Sequence, residues 1–241
     1  RPVLTRQLMV RGALPCADSA TRRRHHPQAQ ATVLLLVGCL LVGCTQFPSP
    51  APRTTSSLYQ DCLLCHSNRE VQRGPILDGQ QSHYLLRQLQ KFKQGQRGRN
   101  SAHRQEALMG AASDELATAD LERIADYLAS LPPQPYQPSV KGDATKGKVI
   151  YEGNCLPCHG PRAAGSAEFK TGSLAVCEDW YLISQLRHFK NGRRGVHPDD
   201  GEGRLMAEQL SSLDDRALLD VVAYISSEFG FTTESEPEAT E

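Results

Sequence analysis

Apolar side chains recur at three- and four-residue spacing in two separate stretches of the chain, and the two stretches match position by position. Tyr84, Leu85, Gln88, Leu89 and Phe92 mark one face of a helix, and Tyr181, Leu182, Gln185, Leu186 and Phe189 mark the same face 97 residues later. Leu121, Ile124, Ala125 and Leu128 predict a further helix in the first stretch, and Leu218, Val221, Val222 and Ile225 predict its counterpart. Ser212, with Asp215 three residues on, reads as the start of that last helix. No alternating apolar and polar pattern of the kind a half-buried strand needs competes with these periods, so the fold class expected is all-α.

The offset of 97 continues without a gap through Lys93 and Lys190, Gly95 and Gly192, Arg97 and Arg194, Gly98 and Gly195, Leu108 and Leu205, Met109 and Met206, and Tyr127 and Tyr224. Nearer the start of each copy the offset is 93, so a four-residue insertion lies between. So long a match indicates one fold present twice in tandem. Pro132-Pro133-Gln134-Pro135-Tyr136-Gln137-Pro138, between the copies, predicts an extended and fairly stiff connection. The expected organisation is a leader over 1–43, a flexible spacer over 44–57, a first domain over 58–131, a linker over 132–140, a second domain over 141–230 and an acidic disordered tail over 231–241. Domains this small bury little apolar surface, and a large covalently held prosthetic group would help to fill their cores.

The leader has the order of a bacterial lipoprotein signal. The basic stretch Arg22-Arg23-Arg24 precedes the apolar run Ala31 to Gly43, which ends in Leu41-Val42-Gly43-Cys44. The run is too short for a stable transmembrane helix, which needs about 20 residues. Cys44 is the expected lipid-modified residue, and Cys39, in the repeated Leu36-Val37-Gly38-Cys39, is its competitor. The formal charge of zero includes six arginines and one aspartate of this leader, so the remainder is mildly acidic, which argues against a nucleic-acid partner.

Cys62-Leu63-Leu64-Cys65-His66 and Cys155-Leu156-Pro157-Cys158-His159 carry the c-type heme attachment signature, one in each copy. Two thiols one helical turn apart can add to the two vinyl groups of heme, and the adjacent histidine then lies beneath the iron as an axial ligand. A zinc site would draw both cysteine pairs to one ion, whereas here each pair has its own module and its own histidine. Two covalently bound heme c groups are the expected cofactors. Of three methionines, Met9 is in the leader, and the other two, Met109 and Met206, hold the same position in both copies. A lone methionine at helical spacing is ordinary core filler, but this register points to thioether ligation, with His66 and Met109 on one iron and His159 and Met206 on the other.

These motifs resemble class I cytochromes c, and the layout resembles the two-domain diheme cytochrome c4 group, over about Ser57 to Gly230. The resemblance implies two tandem class I cytochrome c domains. Gly142-Asp143-Ala144-Thr145-Lys146-Gly147-Lys148 is similar to the family's first helix, whose glycine implies a close crossing with the last helix. Gly74-Pro75-Ile76-Leu77 is similar to the family's Gly-Pro-x-Leu segment, which implies a Pro75 carbonyl orienting the ring of His66. Copy two has Thr171-Gly172-Ser173-Leu174 instead, leaving the support of His159 open, and copy one has no counterpart of Gly147, so its first helix is expected to be short or irregular. The two hemes are therefore expected to differ in environment.

Cys177 is unpaired and matches Gln80; it reads as a buried thiol, with an alternative reading as a heme ligand of the kind found in diheme enzymes that oxidise thiosulfate. His83, His103, His188 and His197 are not duplicated and read as surface or locally bonded residues. Arg87, Lys91, Lys93, Arg97, Arg99 and Arg104 before Met109, and Arg187, Lys190, Arg193, Arg194 and Arg204 before Met206, read either as solvated helix surface or as a positive collar that steers docking onto acidic partners. The resemblance implies a carrier rather than an enzyme, on the periplasmic side of a bacterial membrane and tethered by lipid, with the leaflet open. Its implied partners are redox proteins, a quinol-oxidising bc-type donor and a terminal oxidase or reductase, with no small-molecule substrate. The alternative is a diheme enzyme or the cytochrome subunit of a dehydrogenase, such as a thiosulfate dehydrogenase-like protein.

Overall fold

In the computed structural model, residues 54–67, 73–99 and 103–232 are described. The leader, the Cys44 region and all but the first two residues of the acidic tail lie outside them. Four helices form the first copy: α1 (Thr55–His66), α2 (Ser82–Lys93), α3 (Arg104–Asp114) and α4 (Thr118–Ser130). The second copy begins with α5 (Ala144–Ile150), a π-helical turn (Tyr151–Cys155) and α6 (Leu156–His159), and continues with α7 (Asp179–Lys190), α8 (Gly201–Gln209) and α9 (Asp215–Phe229). The starts of α7, α8 and α9 lie 97 residues after those of α2, α3 and α4, as the repeat requires.

Each copy has its own apolar core. Leu58, Tyr59, Leu85, Leu89, Leu121, Ile124, Ala125 and Leu128 join α1, α2 and α4. Tyr151, Leu182, Ile183, Leu218, Val221, Val222 and Ile225 join the π-turn, α7 and α9. The faces predicted from the three-and-four spacing are the faces buried. Asp214, not Ser212, caps α9: its carboxylate accepts from the Ala217 N–H at 2.8 Å, whereas Ser212 lies in the turn that follows α8.

The first helices reverse part of the expectation. In copy one α1 starts after Thr54, whose hydroxyl accepts from the Ser57 N–H, and runs without interruption to His66. It is short but regular. The irregularity falls in copy two, where the π-turn lies between α5 and α6 and ends on Cys155, the first residue of the heme motif. There Gly147 lies against the carbonyl of Asp220 in α9, so close that a Cβ would collide with it. That glycine is what lets α5 and α9 cross with backbones in contact.

The proline-rich connection is extended, as expected, but it is fastened rather than free. Tyr136 is buried, its N–H bonds the carbonyl of Phe231 at 2.9 Å, and its hydroxyl pairs with that of Ser226 at 2.8 Å.

Gly147→Ala is expected to lower the unfolding free energy by about 1–3 kcal/mol, the usual range for overpacking a tight contact. Gly153→Ala, at a position with open space around it, provides the comparison in thermal or denaturant unfolding. Equal stabilities of the two variants would contradict the role given to the α5–α9 crossing.

Candidate functional site

The Cys-x-x-Cys-His motifs end α1 and α6, so a helix presents each histidine at its C-terminal end. None of the four motif cysteines is taken up in a disulfide among the described residues. In copy two, Cys155, His159 and Met206 line one cavity whose remaining wall is Leu174, Leu182, Leu186, Leu210, Leu213, Val221 and Ile225. The only heteroatoms offered by side chains in that wall are a thiol, an imidazole and a thioether. This set suits a flat apolar macrocycle with a metal at its centre, held covalently at its edge. In copy one, Cys62, Leu77, Leu86 and Met109 pack on the corresponding core.

Both histidines are held as neutral imidazoles, the form that ligates a metal. Burial lowers the basicity of His66, while the carbonyl of Pro75 and the charge of Glu178 act in the opposite direction. Burial brings His159 down to about 4, with only the carbonyl of Gly172 opposing it. The Pro75 oxygen lies 2.6 Å from His66 Nδ1, the contact implied by the Gly-Pro-x-Leu segment. Gly74 lies flat against the imidazole, since a Cβ there would come within 2.6 Å of Cε1. Gly172, at the position of Pro75, points its carbonyl at the His159 ring, although Nδ1 makes no hydrogen bond of ordinary geometry. The support of His159 is thus present but looser.

Several residues read from sequence as surface are buried where the two copies meet. Arg97 stacks over Phe92 at 4.5 Å and Arg194 over Phe189 at 4.4 Å, and each guanidinium then crosses to the other copy. Arg97 donates to Gln185 at 2.8 Å and Tyr181 at 3.3 Å, and Arg194 donates to Gln88 at 2.9 Å and Tyr84 at 3.3 Å. Lys91 is buried in an ion pair with Asp200 at 2.5 Å, and Arg87 pairs with Glu202 at 3.1 Å. The collar reading therefore fails for these four, whose charges are committed to the junction. His188 is also buried there, edge-on to His103 at 4.5 Å, and His83 meets the carbonyl of Thr171 at 3.2 Å. Lys91 and Asp200 occupy the repeat positions of His188 and His103, so one edge of the junction is an ion pair and the other a histidine pair.

Cys177 takes no part in the heme cavity. Its thiol donates to the carbonyl of Ser173 at 3.3 Å and receives Gln80 Nε2 at 3.4 Å, and burial pushes it up to about 12. A thiol so held is a poor metal ligand, and the thiolate-ligated reading loses its candidate.

The comparisons with known proteins agree with this arrangement. The family model for cytochrome c matches twice, over residues 54–132 and 144–228. The chain belongs to the cytochrome c family. Cytochrome c4 of Thiocapsa roseopersicina is 30% identical over 178 residues, covering 68% of this chain and 85% of that protein. The solved cytochrome c4 of Acidithiobacillus ferrooxidans superposes with a TM-score of 0.56 at 27% identity, over 70% of this chain and 98% of that one. A thiosulfate dehydrogenase structure from Marichromatium purpuratum, at 22% identity and a TM-score of 0.56, covers 74% of this chain and 40% of that one and shows a shared fold. The chain is a diheme, c4-like class I cytochrome: two tandem cytochrome c domains, two covalently bound heme c groups and a role in electron transfer.

Glu106 lends the junction a pH dependence. Burial alone would raise its carboxyl, but His188, Arg97 and Arg194 beside it more than offset this and hold it at about 2, below its ordinary 4.5. Because the folded value is the lower one, the stabilisation is full above about 4.5 and is lost as pH falls towards 2. Acid unfolding of Glu106→Gln is expected to lack this component, on the order of 3 kcal/mol. A variant whose acid transition matches that of the parent would contradict the assignment.

Proposed function

We propose that this cytochrome is a periplasmic electron shuttle, tethered to a bacterial membrane through lipid on Cys44, that carries electrons from a quinol-oxidising bc-type complex to a terminal oxidase or reductase. Cys62 and Cys65 would hold the first heme, with His66 and Met109 as axial ligands. Cys155 and Cys158 would hold the second, with His159 and Met206. When bound, each heme supplies an iron that takes up and releases one electron. The observation that carries the reading is the apolar cavity in which His159 and Met206 are the two metal-ligating side chains that face inward with Cys155.

The protein's own part is to close the site. With an imidazole and a thioether both held to it, each iron would keep no position for a substrate, and the apolar walls would exclude water and limit the rearrangement that accompanies a change of charge. The burial of His66 and His159 keeps both ligands deprotonated at neutral pH. Among the described residues no helix is long and apolar enough to cross a membrane. The lipid tether is proposed on the sequence of residues 22–44 alone.

A second reading, a diheme enzyme or the cytochrome subunit of a dehydrogenase, draws on the fold shared with the thiosulfate dehydrogenase. The placement of Cys177 against Ser173 and Gln80 weighs against it, because that reading needs an open or thiolate-ligated iron.

Purified protein is expected to contain two hemes per chain, both low-spin with methionine-to-iron bands in near-infrared magnetic circular dichroism. Met109→Ala and Met206→Ala should each remove one set of bands and open one iron to exogenous ligands. Cys177→Ser should leave both sets intact, and a change of ligation in that variant would favour the enzyme reading. Cys44→Ser should release the protein from the membrane fraction.

A further inference from the structure

The carbonyl that faces each axial histidine belongs to a peptide whose N–H is bonded by the other domain. The Pro75 oxygen meets His66 Nδ1 at 2.6 Å, and the N–H of the same peptide, on Ile76, donates to Glu178 Oε2 at 2.9 Å. In the second domain the carbonyl of Gly172 faces His159, and the N–H of that peptide, on Ser173, donates to Gln80 Oε1 at 2.8 Å. Gln80 closes the arrangement by donating to the Ser173 carbonyl at 2.8 Å. Ile76 and Ser173 are repeat positions, but their acceptors are not: Glu178 corresponds to Gln81 of the first copy and Gln80 to Cys177 of the second, so the duplication placed the two peptides alike and their partners differently. One relay ends in a carboxylate, the other in a neutral amide.

Both acceptors are almost wholly buried, with Glu178 3% and Gln80 4% exposed, so solvent does little to screen the difference. A carboxylate that accepts the Ile76 N–H polarises the peptide and makes the Pro75 oxygen a better acceptor for the His66 Nδ1–H. An imidazole whose N–H is more strongly held gives more electron density to the metal at its other nitrogen. That density stabilises a ferric iron more than a ferrous one, and the negative charge of Glu178 acts in the same direction.

We propose that Glu178 of the second domain is a positioning residue for the heme of the first, lowering its potential through the Pro75–Ile76 peptide and His66, and that Gln80, from a neighbouring repeat position, supports the peptide behind His159 for the second heme without a charge. Each domain thereby sets part of the electronic character of its neighbour's iron. The inference rests on the ligand assignment above.

The test is a spectroelectrochemical titration of the full-length diheme protein and of Glu178→Gln and Gln80→Glu. Met109→His, which exchanges one axial ligand, marks which of the two waves belongs to the first heme. Glu178→Gln is expected to raise the first-heme midpoint alone, and Gln80→Glu to lower the second-heme midpoint alone. Midpoints that stay in place in both variants, or that move together by similar amounts in each, overturn the proposal, since a charge acting only through space would reach both irons. Should Glu178→Gln fail to fold, Gln80→Glu decides by the same criterion. A protein without two heme waves would overturn the ligand assignment itself, a separate outcome from two waves that ignore the substitutions.

Discussion

Two buried guanidiniums hold this molecule in one arrangement. A cation removed from water must be given hydrogen-bond acceptors or it destabilises the fold by several kcal/mol. Arg97 finds an aromatic face, Gln88 and the carboxylate of Glu106 in its own domain and adds Gln185 and Tyr181 of the other, whereas Arg194 has only Phe189 and Gln185 at home and draws on Gln88 and Tyr84 across the junction. Neither domain alone supplies all the partners of its arginine. The two domains therefore pack as one compact unit, although they are two copies of one module.

The heme sites inherit their geometry from this junction. The peptides that face His66 and His159 are pinned from behind by Glu178 and Gln80, so the orientation of each ring depends on the neighbouring domain as well as its own. Met109 and Met206 sit on α3 and α8, the helices that also bring Glu106 and Asp200 to the junction. The two methionines and the domain contact thus share the same short helices.

The repeat itself shows how a junction becomes asymmetric. Lys91 and Asp200 form a buried ion pair, while the equivalent positions hold His188 and His103. The first pair joins a buried ammonium to a carboxylate, and the second has rings that pack edge to face. Duplication supplied two equal half-junctions, and later divergence gave them different chemistry. The same divergence left Cys177 where the first copy has Gln80, as a buried thiol that the amide of Gln80 touches.

Helical periodicity, the offset of 97 and the two Cys-x-x-Cys-His motifs were enough to show an all-helical duplicated fold, its two prosthetic groups and the register of Met109 with Met206, because each is a local or a periodic property of the chain. The buried faces followed from the same periods. The polar junction did not, because Arg97, Lys91 and His188 have the same spacing whether they face water or another domain, and only the packing of the copies decides which. A signal was present in retrospect: Tyr84, Gln88 and Arg97 recur as Tyr181, Gln185 and Arg194, polar residues kept in register where an ordinary solvated face would have let them drift. The capping of α9 by Asp214 is a local choice between neighbouring candidates, Ser212 and Asp214, that the pattern left open, and the π-turn of copy two follows directly on the helix that crosses α9 at Gly147. Chain pattern singled out the residues proposed to hold a metal, and the meeting of the two domains decided what stands behind the two histidines among them, because hydrogen bonds between copies obey no spacing along the chain.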